Sequence, residues 1–207
     1  MTQISPSLYD EKKASEVAFY FLMRARALGG SVTKLRLLKW MYLAERLAYQ
    51  QFGEPLTGDV LTSMQHGPVP DTTRKHIERP AAVAARNGSW ESVVAVEDGP
   101  KHKHQYVSIR PSCGYVTADD LRQLSDAEVE MLDEVWMHFG KWNSGQLEKY
   151  LHDRRHTPEW KWAPGDKSNP IELETLLGAV GYEEDEISSL VKNIQATESI
   201  HAAFSRE

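Results

Sequence analysis

The stretch VTKLRLLKWMYLAERLAYQQFG, residues 32–53, decides the fold. Leu35, Leu38, Tyr42 and Tyr49 recur on one side of a 3.6-residue period, while Leu37, Trp40, Met41, Ala44, Leu47 and Ala48 recur on another. A helix that is apolar on two sides is surrounded by the rest of its fold, so this segment is expected to be the central helix. Ser31 or Thr33 can cap its start, because a short side-chain oxygen accepts a backbone N–H of the first turn, and Gly53 stops it.

Working outward, Ala14, Val17, Ala18, Phe21, Leu22, Ala25 and Leu28 form one stripe of an amphipathic helix that ends at Gly29-Gly30. On the other side, Pro55, Gly58, Gly67, Pro68 and Pro70 mark a loop, a short extended segment at 60–64 and a second turn. Asp71 is the expected cap of a helix that Pro80 interrupts and Asn87-Gly88 ends. Trp90, Val93, Val94 and Val96 then read as a strand, Asp98-Gly99-Pro100 as a turn, and Tyr106, Val107 and Ile109 as the returning strand.

The remainder reads as helical. Ser125 and Glu128 make a capping box for a helix burying Val129, Leu132, Val135, Trp136 and Phe139 and ending at Gly140. A short helix is expected over 144–152, a turn at Thr157-Pro158, and a cap-and-proline start at Asn169-Pro170 for a helix to about Val180. A last helix from about Glu183 carries Ile187, Leu190, Val191, Ile194, His201 and Phe204 on one side. With no repeat and no linker, the expectation is one compact α+β domain over 1–207, predominantly α-helical, with a small β-hairpin insertion.

Charge and cysteine usage narrow the function. Lysine and arginine total 24 against 30 acidic residues, a formal charge of −6, which gives no general pull toward phosphate backbones. Nucleic acid is therefore not an expected partner. Cys113 is the only cysteine, so an intrachain disulfide is impossible; no signal-peptide pattern or membrane-length apolar run is present either. A cytoplasmic protein is expected.

Chemistry finds little to hold. His152 and His156, four apart, with Asp153 following the first, resemble one turn of a zinc-binding helix and would suit a metal-dependent hydrolase. Against this, Asp replaces the longer Glu, Arg154 and Arg155 lie between the histidines, and the helix is already ending there. Histidines packed at a helix end are the expectation. His102-Lys103-His104 reads as a solvated hairpin tip, Cys113 as a small hydrophobe in a turn, and Glu183-Glu184-Asp185-Glu186 as charge complementing a helix dipole. Neither an enzyme, a cofactor nor a metal is expected.

Two segments stand out. Gly67-Pro68-Val69-Pro70 is a rigid turn, because each proline fixes φ. His156-Thr157-Pro158-Glu159-Trp160-Lys161-Trp162 is an aromatic-rich turn, in which exposed tryptophans would mark an interface and buried ones the core. Together with Lys34 to Glu45, the Phe52-Gly53-Glu54-Pro55-Leu56 turn, Gln65 to Val69 and Leu132 to Gly140, they resemble the Panacea domain, also called the SocA-like antitoxin domain. The resemblance covers about residues 14–180. It departs after Pro70, where an aromatic is expected and Asp71-Thr72-Thr73-Arg74 stands, and in the hairpin region, where toxin choice is expected to lie.

The resemblance implies a helical fold with a small β element and no cofactor. It also implies neutralisation of a cognate toxin encoded beside it, by direct contact or as an adaptor to a Clp-type ATP-dependent protease. The residues then expected at the partner surface are Gly67, Pro68, Val69, Trp160 and Trp162. The alternatives are the hydrolase using His152 and His156, and an operator-binding repressor.

Overall fold

The computed structural model describes residues 2–83, 87–99 and 104–204. Asp10 accepts the Lys13 N–H at 2.9 Å and starts α1 (Glu11–Ala27) one turn ahead of its apolar stripe. Leu28 lies beyond the helix and is 55% exposed, so it leaves that stripe. Strand β1 (Val32–Thr33) leads into α2 (Lys34–Phe52), with Thr33 accepting the Arg36 N–H and Gly53 closing the last turn at φ 69°. Leu37, Trp40, Tyr42 and Tyr49 are completely buried, and Leu38 and Met41 nearly so, which makes α2 the central helix as expected.

Two short strands follow, β2 (Leu61–Ser63) and β3 (Val69–Pro70), then α3 (Asp71–Glu78) and a single 3-10 turn at Pro80–Ala82. The expected run of this helix to Asn87 crosses residues 84–86, which lie outside those described. Asp71 is not the cap. It is the first helical residue, its carboxylate pairs with Arg74 and Lys75, and the helix N–H groups of Thr72 and Thr73 donate instead to buried Asp59, each at 2.7 Å.

Trp90 is helical, in α4 (Ser89–Val93), because the Glu11 carboxylate draws its N–H out of any ladder. The hairpin therefore begins later, as β4 (Val94–Asp98) and β5 (Gln105–Ile109); its expected tip, including Pro100, His102 and Lys103, lies outside the described residues. Helix α5 (Asp126–Phe139) has the predicted Ser125/Glu128 capping box, and α6 (Ser144–Leu151) is capped by Asn143. Asn169–Pro170 does not begin a helix. It forms β6, because Thr62 and Ser63 offer it a pairing edge, and α7 (Leu173–Ala179) starts three residues later. Helix α8 (Glu184–Phe204) packs Val191 and Ile194 inward and leaves His201 exposed; the side chain of Phe204 lies outside those described.

The sheets are small, antiparallel and three-stranded, ordered β1-β5-β4 and β3-β2-β6. The fold is α+β and predominantly helical. Buried carboxylates tie its loops to its helices. Glu11 on α1 accepts the N–H groups of Asn87 and Trp90 at 2.9 and 3.0 Å, and Glu16 accepts the Gln123 N–H at 2.8 Å and the Tyr115 hydroxyl at 3.0 Å. Glu45 on α2 takes the N–H groups of Leu56 and Thr57 at 2.9 and 2.7 Å, and the Thr57 hydroxyl. Burial pushes the Glu45 carboxyl up to about 7 while those three donors pull it down.

Candidate functional site

Gly67 turns the chain between β2 and β3 at φ 89°, where an L side chain is strained, and its N–H donates to the Met64 carbonyl at 2.9 Å. Val69 and Pro70 then pair with Thr62 and Leu61. Pro70 fits because β3 is an edge strand and needs no donor there. The turn lies on α2. Lys39, wholly buried in mid-helix, donates its Nζ to the Pro68 carbonyl at 2.7 Å. Burial lowers the Lys39 ammonium to about 7, with Glu148 pulling it the other way.

The second turn arrives from the opposite end of the chain. Helix α6 stops at Leu151, and the Glu159 carboxylate that follows is buried. Its Oε1 accepts the Tyr42 hydroxyl at 2.6 Å and Arg46 Nε at 2.7 Å, pinning the turn to α2 and driving the Tyr42 phenol well above its ordinary value together with burial. Trp160 donates Nε1 to the Met64 carbonyl at 3.0 Å and stacks on His152 with centroids 4.4 Å apart. Lys161 N–H closes the joint on Ser63 Oγ at 3.0 Å.

The two motif turns, some ninety residues apart, thus meet at one place. Gly67, Pro68 and Val69 are buried there, and Trp160 is half-buried as a bolt between them and α6. Trp162 stands apart, half-buried, donating to the Asp166 carbonyl at 3.1 Å within its own loop.

Beside this joint opens a cleft of about 840 Å³. Leu35, Leu38, Met64 and Val69 supply its apolar lining. Along its rim run the ion pairs Lys34–Glu78 at 2.8 Å and Arg74–Glu78 at 2.5 Å and the His66–Glu148 hydrogen bond at 2.9 Å. The hairpin contributes Asp98, His104 and Gln105, so the cleft touches both the Gly67–Val69 turn and the region that departs from the family pattern. An apolar lining with paired groups along part of its rim suits a protein side chain.

His152 and His156 do not form a metal pair. The helix ends before both, and their rings are taken by different partners, His152 by Trp160 and His156 by Tyr150 at 4.2 Å. Burial also lowers the His152 imidazole below its ordinary value. Among the described residues no three His, Cys, Asp or Glu side chains are placed to hold a metal ion, and no helix is long and apolar enough to cross a membrane.

Sequence reasoning missed Lys39, Glu159 and the half-buried Leu35. The signal was present: a helix apolar on two sides has too little perimeter left for its polar residues to reach water, so Lys39 and Glu45 must be buried and partnered.

Comparison with curated proteins and with solved structures returned no match. The sequence model described as antitoxin SocA-like, Panacea domain, matches residues 37–161, from the first turn of α2 into the second motif turn. That is more than half of the chain and includes both turns that meet beside the cleft, and the chain belongs to the SocA-like antitoxin (Panacea domain) family.

Proposed function

We propose that this chain is a non-enzymatic, cytoplasmic antitoxin acting as a single domain, and that it neutralises a cognate toxin by binding it at the cleft beside the Gly67–Val69 turn. The observation that carries this reading is the convergence of the Gly67–Val69 turn and the Glu159–Trp160 turn on α2 beside an apolar-lined cleft. Gly67 and Val69 line the cleft, while Pro68 and Trp160 hold that turn in place through Lys39 and the Met64 carbonyl. Leu35 and Met64 are the half-buried apolar side chains available to a partner. Trp162 flanks it on a neighbouring loop.

The test is co-expression with the product of the adjacent gene. Leu35→Asp places an unpaired carboxylate in the apolar lining without emptying the core, and it is expected to abolish rescue of growth. A folded Leu35→Asp protein that rescues as well as the parent overturns the cleft as the binding surface. The adaptor role adds a second measurement. If the chain delivers its toxin to a Clp-type protease, toxin half-life shortens when the antitoxin is present and recovers when the protease is deleted. Unchanged toxin half-life with full neutralisation leaves direct contact as the mechanism.

A further inference from the structure

A second concavity, about 660 Å³, lies where the end of α1, β1 and β5 come together. Its composition is unlike the cleft's. Arg26 and Arg110 line it, and neither forms an ion pair among the described residues. The single lining carboxylate, Glu97, sits opposite Tyr106 in the strand register and pairs with neither arginine. Arg26 is exposed and open to water, whereas Arg110 is half-buried, so it is Arg110 whose unpaired charge needs a reason.

Arg110 sharpens the point. Its Nη2 reaches only the Val94 carbonyl, at 3.3 Å, and its Nε is buried with no acceptor. A guanidinium carries five donors, and a buried one without an acceptor forfeits its hydration for nothing. The walls around it are fixed. Tyr115 is held by its bond to Glu16 and by edge contact with Phe19 at 5.4 Å, and Gly30, at φ 130°, lets the chain turn tightly into β1. The volume lies within the range of small-ligand sites.

We infer that this slot is an oxyanion site in which Arg26 and Arg110 hold a phosphate or carboxylate group beside the Ser31 and Ser108 hydroxyls. Guanidinium groups suit this task because their planar donors match two oxygens at once. The oxyanion has two sources, a small phosphorylated molecule or an acidic side chain of the bound partner. Only the second rests on the toxin-binding reading.

Cys113 lines the same slot, is half-buried, and is the only thiol in the chain, so it serves as a native reporter. The experiment measures its labelling by N-ethylmaleimide, a neutral reagent, while inorganic phosphate or acetate replaces chloride at constant ionic strength. If only the empty slot reacts, phosphate at about twice its Kd slows labelling about threefold. Arg26→Gln and Arg110→Gln are each expected to abolish the protection. The Arg26 side chain is exposed and makes no hydrogen bond or ion pair among the described residues, so its variant remains informative even if Arg110→Gln is unstable.

Protection in the parent that both variants lose assigns the slot to a phosphorylated small molecule. Without such protection, Arg26→Glu is expected to weaken the complex with the purified toxin at least about tenfold and to flatten its salt dependence, which assigns the slot to a partner carboxylate. The inference is overturned if neither anion protects Cys113 and Arg26→Glu leaves toxin affinity unchanged. It is also overturned if phosphate slows labelling equally in the parent and both variants.

Discussion

Replacing Lys39 with Met tests whether a buried ammonium shapes the family's glycine-proline turn. The side chain is wholly buried, makes one bond to the Pro68 carbonyl at 2.7 Å, and is lowered to about 7 by burial. A lysine whose folded pKa is depressed binds fewer protons in the native than in the unfolded state between those two values. Its contribution to stability therefore improves as pH rises from about 7 toward the ordinary lysine range, and below 7 the burial cost is present in full. One proton is worth about 1.4 kcal/mol per pH unit, and the group is half titrated at the start, so the parent gains about 2 kcal/mol relative to Lys39→Met between pH 7 and pH 9. The window lies above the His152 imidazole, which burial lowers.

The assay is urea denaturation of both proteins at the two pH values. Taking the difference of the differences cancels every titration the two share. Lys39→Met also leaves the Pro68 carbonyl without its donor, a cost of about 1–3 kcal/mol that is present at both pH values and drops out of the comparison. A parent-minus-variant difference that is constant to within about 0.5 kcal/mol would refute the reasoning, because it would mean that Lys39 is charged and stably partnered throughout.

Trp40→Ala is expected to cost about 3–5 kcal/mol in a denaturant melt, since the indole is completely buried and its Nε1 bonds the Phe139 carbonyl; a loss near zero would contradict the central placement of α2. Glu159→Ala removes a buried carboxylate from Tyr42 and Arg46 and should destabilise by about 3–5 kcal/mol, read by the same melt, with Glu159→Gln recovering only part. The His152→Ala, His156→Ala double variant and the parent should both melt at temperatures unaffected by a chelator. Stoichiometric zinc in the purified parent that the double variant lacks would revive the hydrolase reading.

The helical frame was legible because its signals are local and periodic. The caps at Thr33 and Ser125 and the stop at Gly53 rest on bonds made within one turn, and those expectations match the structure. The misses share a different cause. Asp71, Trp90 and Asn169-Pro170 each took a conformation set by a partner distant in sequence: Asp59 for α3, Glu11 for Trp90, and β2 for β6. Two- and three-residue strands are too short for alternation to register, so neither β3 nor β6 left a pattern to read. The candidate site was half visible. Both motif turns were marked in the chain, yet their meeting beside Leu35 and Leu38 depends on Glu159 and Trp160 reaching across to α2 and β2.

The carboxylates of Glu11 and Asp59 tether the segments they hold through main-chain N–H groups, at Asn87, Trp90, Thr72 and Thr73, and Glu16 does so at Gln123. Every amino acid except proline carries that donor. An anchoring scheme of this kind does not read side chains at the point of attachment, so exposed positions such as Asn87 can change identity while the loop stays moored. That separates what must persist from what can diversify. It also gives a protein engineer a rule for randomised libraries on this scaffold: vary the loop side chains, keep the carboxylates, and exclude proline at the tethered positions.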